Sequence, residues 1–122
     1  MDNVNYEQWW GDYDELNRLN PATQIRTKII ADVLKDHKYK KILDVGCGTG
    51  ELLEYLHAKF PEKELHGTDI SKKALEILKK KGITKGIFLA NLERVIKLDG
   101  KYDVVVCSEV IEHLKNWENA IY

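Results

Sequence analysis

The chain has 122 residues, with 19 Lys and Arg against 20 Asp and Glu, for a formal net charge of −1. That length makes one domain with room for a real core, and the charge balance provides no general attraction to nucleic acid or to an anionic membrane. No apolar stretch is long enough to cross a bilayer, and the start Met-Asp-Asn-Val-Asn-Tyr lacks the charged and apolar regions of a signal peptide, so a cytoplasmic chain is expected.

The first segment is aromatic and acidic, with Tyr6, Trp9, Trp10 and Tyr13 close together. Asn20 followed by Pro21 reads as an N-cap and a proline at the first helical position. Ile25, Ile29, Ile30, Val33 and Leu34 then predict one apolar helix face. Lys40 to Val45 reads as a first strand, and Gly50 to Phe60 as a helix stopped by Pro61. Leu65 to Thr68 forms a second strand. Ser71 caps a helix that carries Ala74, Leu75, Ile77 and Leu78. Lys79, Lys80 and Lys81 mark its negative end, a solvated stretch followed by a C-terminal glycine, Gly82. Gly86 to Leu89 and Tyr102 to Cys107 complete the strands. Strands alternating with helices imply a parallel sheet with right-handed crossovers, an α/β Rossmann-like fold of about four strands. Residues 1–38 are expected to be a helical segment that packs on the core or covers it, and residues 39–122 to be the core itself.

The most informative stretch is Ile42-Leu-Asp-Val-Gly-Cys-Gly-Thr-Gly50. A strand ends in an acid and breaks into three alternating glycines before a helix. Glycine reaches positive φ without penalty and lets a ligand approach bare backbone, while the helix aims its free N–H groups at the same spot. A dinucleotide fingerprint needs G-x-G-x-x-G, but its third position here is Glu51, and no Gly-Lys-Ser/Thr end exists for a P-loop. A carboxylate at Glu51 repels a pyrophosphate. The loop therefore suits a nucleotide-like ligand without phosphate, which disfavours an NAD-binding domain.

Asp44-Val-Gly-Cys-Gly-Thr-Gly50 resembles the first motif of the class I S-adenosylmethionine-dependent methyltransferases. The resemblance extends through Glu64-Leu-His-Gly-Thr-Asp69-Ile-Ser71, Phe88-Leu-Ala-Asn91-Leu92 and Tyr102-Asp-Val-Val-Val-Cys-Ser-Glu109-Val-Ile-Glu112-His113-Leu114, in the family's order and spacing. It implies that Gly46, Cys47, Gly48, Thr49 and Gly50 pass beneath the cofactor and that Asp44 lies near its methionine amino group. The bland role for Asp44 is to satisfy loop N–H groups. Asp69 is implied to take the two ribose hydroxyls, which suits a group with two acceptor oxygens. Ile70 is implied to pack on the adenine, and Asn91 stands where an acid often takes the adenine amino group. Leu92 and Ser108 complete the implied cofactor set.

Glu109, Glu112 and His113 stand at i, i+3 and i+4, on one helix face. Two branches of the family use such a cluster for a metal: quinone-precursor O-methyltransferases and small-RNA 3′-end methyltransferases. The default expectation is no metal, with His113 and Glu109 as candidate catalytic groups and His113 as a general base. A packed histidine that anchors the helix is the bland alternative. In relatives the N-terminal segment folds over the cofactor as a lid. Cys47 and Cys107 form no Cys-x-x-Cys pair or disulfide framework and are expected to be reduced, small buried hydrophobes.

The family fold has seven strands, and four are legible, so the chain is expected to be the N-terminal portion of such a domain. Strand four lacks the Asn/Asp-Pro-Pro-Tyr/Phe motif of enzymes that methylate base amino groups. A small-molecule acceptor is expected, with methyl transfer to O, N or C. A non-catalytic cofactor-binding module completed by a partner is the alternative from another class. Val104, Val105 and Val106 are expected to lie on an unpaired apolar edge that invites self-association.

Overall fold

The computed structural model describes residues 21–91 and 100–108. Within them the elements are α1 (Pro21–Leu34), β1 (Lys41–Val45), α2 (Glu51–Lys59), β2 (Glu64–Asp69), α3 (Lys72–Lys81), β3 (Gly86–Leu89) and β4 (Val104–Cys107). The four described strands form one sheet in the order β3-β2-β1-β4, and all pairings are parallel. β1 is central, and Ile42 and Leu43 are fully buried within it. The expected α/β alternation is therefore present, with strand ends within two residues of those read from the sequence.

Local chemistry sets the element ends. Pro21 opens α1, where a missing N–H costs nothing. Gly50 caps α2 with φ 90°, and Glu51 and Glu54 fall in its first turn, the favourable end for acids. The Ser71 hydroxyl accepts the Ala74 N–H at 3.1 Å to cap α3, and Gly82 ends it with φ 65°. The helices bury Ala31, Leu34, Leu52, Leu53, Leu56, Leu75 and Leu78 against Ile42 and Leu65 of the sheet.

Three expectations need correction. In α1, Ile25, Ile29 and Val33 are 59%, 62% and 62% exposed, while Thr23, Thr27, Ala31 and Leu34 are buried. Ile25 and Leu34 are nine residues apart. At about 100° per residue they lie roughly on opposite sides of the helix, so the five apolar residues never made one face. Cys107 is exposed, because β4 pairs only with β1 among the described residues. Lys81 is not simply solvated: its ammonium lies 3.2 Å from the Glu54 carboxylate, tying α3 to α2.

Two further contacts brace the edge of the sheet opposite the glycine loop. The buried Lys63 ammonium donates to the carbonyls of Asp36 (2.9 Å) and Tyr39 (2.6 Å), which satisfies the turn after α1. The Asp103 carboxylate accepts the N–H groups of Lys40 (2.9 Å) and Lys41 (2.8 Å), and these bonds hold its pKa below the usual value.

Gly50 illustrates how closely the helices approach the loop. An added Cβ would lie 2.3 Å from Leu78 Cδ1, at a residue whose φ is +90°. Gly82 also has positive φ, but nothing lies within 4 Å of its Cβ position. In urea denaturation, Gly50→Ala is expected to cost about 2 to 4 kcal/mol, from backbone strain plus overpacking. Gly82→Ala is expected to cost about 1 kcal/mol from backbone strain alone. Equal losses for the two would contradict the close packing of the loop on Leu78.

Candidate functional site

The strand order places the topological switch between β1 and β4, since the chain runs outward from β1 to β3 and returns to β4 on the other side. In open parallel sheets, ligands bind outside the carboxyl ends of the strands at such a point. There β1 runs into the glycine loop, β2 ends at Asp69, β3 leads to Asn91 and β4 leads to Ser108. The sheet thus gathers Asp44, the residues 46–50, Asp69, Ile70, Asn91 and Ser108 at one end. Leu92, Glu109, Glu112 and His113 lie outside the described residues, as do Tyr6, Trp9, Trp10 and Tyr13.

The loop owes its shape to three glycines at positive φ: Gly46 (72°), Gly48 (58°) and Gly50 (90°). Four of its N–H groups have assigned partners. Those of Gly46 and Cys47 donate to the Thr68 carbonyl at 2.7 and 3.0 Å, and that of Gly50 donates to the Cys47 carbonyl at 3.0 Å. The Gly48 N–H donates to Asp69 Oδ2 at 2.9 Å, and the Ser71 N–H donates to Asp69 Oδ1 at 2.9 Å. The acid that ties down the loop is therefore Asp69, where the sequence suggested Asp44 for that bland role.

Asp44 is a buried carboxylate beside a second one. Burial and then the nearby charge of Asp69 push its pKa from 3.8 up to about 8. The Cys47 thiol is likewise pushed well up, first by burial and then by Asp44 and Asp69. That shift favours the neutral thiol over the thiolate. The Cys47 sulfur lies over Gly67, where an added Cβ would come within 2.8 Å of Sγ. Gly67 thus makes room for the loop side chain, a role the sequence reading missed. A glycine inside a strand was the available signal.

Ile70 is 51% exposed directly after Asp69, an apolar surface beside the acid. Asn91 follows Ala90, whose N–H donates to the Asp69 carbonyl at 2.9 Å, so it is held near the same acid. Ser108 follows Cys107, which pairs with Val45. The donor set is two carboxylates, a bare-backbone loop and an exposed aliphatic side chain. It fits an uncharged nucleoside bearing a cationic group. It does not fit a pyrophosphate, which would face Asp44, Asp69 and Glu51 together. No group of three metal-type ligands occurs among the described residues, and no helix among them is long and apolar enough to cross a membrane.

Comparison with known proteins agrees with this arrangement. A family model described as a methyltransferase domain matches residues 43–122. The ubiquinone biosynthesis O-methyltransferase of Escherichia coli O157:H7 is 30% identical over 93% of this chain and 49% of its own length. The chain thus spans about half the length of the curated relatives it matches. Among solved structures, the methyltransferase domain of bacterial CtHen1-CN is 30% identical with a TM-score of 0.68, covering 80% of this chain and 56% of that one. The plantazolicin methyltransferase BpumL, solved with SAH and a desmethylPZN analogue, is 25% identical with a TM-score of 0.61. That match covers 82% of this chain and 43% of BpumL.

Proposed function

The chain belongs to the class I S-adenosylmethionine-dependent methyltransferase family, and we propose that it binds that cofactor at the carboxyl end of its sheet. The methyl group passes to an O, N or C nucleophile of a small molecule. The observation that carries this reading is the loop at the switch point: three positive-φ glycines flanked by two buried acids on adjacent strands. When bound, S-adenosylmethionine supplies an electrophilic methyl on a positively charged sulfur. The chain supplies position and charge. Residues 46–50 would lie beneath the cofactor, Asp69 would accept the ribose hydroxyls, Ile70 would pack on the adenine, and Leu92 would complete the cofactor set. Asn91 accepts from the adenine amino group, Ser108 borders the site from β4, and Asp44 faces the cationic methionine end. Holding donor and acceptor in line in a dry pocket is the main source of rate, since charge is lost as the methyl moves.

In this reading His113 is the base that takes a proton from an acceptor hydroxyl or amine, and Glu109 is the second candidate catalytic group. A second reading makes Glu109, Glu112 and His113 the ligands of a divalent cation that activates a hydroxyl. Their i, i+3, i+4 spacing supports it, as does similarity to an O-methyltransferase. The exposed Val105 and Cys107 of β4, which pairs only β1 among the described residues, support self-association through that edge. Sedimentation velocity tests this: Val105→Lys is expected to dissociate a dimer, and a wild-type monomer at every concentration would exclude it.

Calorimetric titration with S-adenosylhomocysteine tests the main reading. The wild-type chain is expected to bind it, and Asp69→Ala to weaken binding by about 10- to 100-fold, the loss of hydrogen bonds to a charged group. A folded chain that binds no S-adenosylhomocysteine would overturn the cofactor reading.

A further inference from the structure

The two acids of the site differ in one respect that geometry makes plain. The Asp69 carboxylate takes an N–H on each oxygen, from Gly48 and from Ser71. Asp44 receives no hydrogen bond from any described residue. The nearest loop donors, the N–H groups of Gly46 and Cys47, are committed to the Thr68 carbonyl. Asp44 pairs in register with Gly67, two residues before Asp69, so strand alternation sets the acids on the same side of the sheet. Both are buried. One acid has two N–H donors to support a charge, and the other has none among the described residues.

We infer that the Asp44–Asp69 pair holds one proton when no ligand is bound and gives it up when a cationic ligand group arrives. The proton sits on Asp44, because Asp69 is the acid with N–H partners. A ligand ammonium or sulfonium beside Asp44 replaces the proton as counter-charge, and the proton passes to solvent. No bond other than the carboxyl O–H is broken. This rests on the cofactor reading above and adds to it: Asp44 becomes the residue that discriminates in favour of a cationic ligand, and binding becomes linked to pH.

Among the described residues, the charged groups around Asp44 supply no other counter-charge. Asp69 at the end of β2 has the same sign, and Cys47 in the loop remains a neutral thiol. From α3, Lys81 acts on Cys47, and its ammonium is paired with Glu54 of α2 at 3.2 Å. Glu51, in the first turn of α2, adds a further negative charge. The shift of Asp44 to about 8 agrees with this inventory.

The test is calorimetric titration of the full chain with S-adenosylhomocysteine, which carries an ammonium, in phosphate and in Tris at pH 7. The observed enthalpy is expected to differ between buffers in proportion to about one proton released per ligand, with affinity rising up to about tenfold per pH unit between roughly pH 6 and 8. 5′-Methylthioadenosine, which lacks the amino-acid part, is expected to release none. Binding of S-adenosylhomocysteine with the same enthalpy in both buffers would overturn the proton linkage and leave the cofactor reading intact. No binding by the folded chain would overturn both.

Two further measurements support the same test. Asp44→Asn is expected to abolish the buffer dependence. It is also expected to remove a loss of stability that the ligand-free wild type suffers as pH rises. The sign follows from the raised folded-state value: the folded chain binds the proton more tightly than the unfolded chain. Stability is thus full below the unfolded pKa of 3.8 and declines as pH rises through about 8. Should the variant fail to fold, a carboxyl-carbon NMR titration of the wild type reads Asp44 directly. A midpoint near 8 without ligand, falling below the neutral range with it, is expected; an ordinary carboxylate midpoint without ligand would overturn the inference.

Discussion

The Asp69 carboxylate accepts the Gly48 N–H through one oxygen and the Ser71 N–H through the other, and these two bonds join three elements. They fix the middle of the glycine loop, the end of β2 and the start of α3 to one another. The N–H groups of Gly46 and Cys47 close on Thr68, the residue before it in β2. The loop after β1 is therefore shaped mainly by the neighbouring strand. Leu78 of α3 then packs so close to Gly50 that no side chain fits there. Charge-assisted hydrogen bonds are stronger than neutral ones and hold their geometry more tightly, so burial of this acid sets the loop before any ligand arrives. Such preorganisation lowers the ordering cost of binding.

The same arrangement has a cost that marks this end of the sheet as the candidate site. A core built only for stability would not place two buried carboxylates on adjacent strand ends, because each loses hydration and each repels the other. Elsewhere the described core is ordinary, with leucines of α2 and α3 packed on Ile42 and Leu65. Stability resides in that leucine layer, and the carboxyl end of the sheet gives some of it up for recognition. The sheet order explains why the acids meet there. Parallel strands send every carboxyl end the same way, and the reversal between β1 and β4 opens the crevice above them.

Much of this was legible in the residues themselves. The glycine triplet after an apolar run, Ser71 as a helix cap and Gly82 as a helix stop each follow from backbone requirements that few residues meet. The structure has them where the chain order put them. Family resemblance rather than periodicity supplied the nucleoside roles. What failed was the facing of α1. A helix rich in isoleucine looks amphipathic, but its buried residues include Thr23 and Thr27, which hydropathy passes over. Cys107 failed for a related reason, since exposure at the sheet edge depends on partner strands rather than on the cysteine. The division of labour between the two acids was not legible either. Sequence spacing places Asp44 and Asp69 at strand ends, but only hydrogen-bond geometry shows that Asp69 takes two backbone donors and Asp44 takes none from the described residues.

The proposed nucleoside site is formed by the carboxyl ends of β1, β2 and β3 together. The most direct measurement is an amide NMR titration of the uniformly labelled chain with S-adenosylhomocysteine. The largest shifts are expected at Gly46, Gly48, Gly50, Ile70, Ser71 and Asn91, with little change at the opposite end of the sheet around Lys41, Lys63 and Asp103. Shifts centred instead on the groove between α1 and α2, at Thr23, Thr27 and Tyr55, or no shifts in a folded chain, would contradict it.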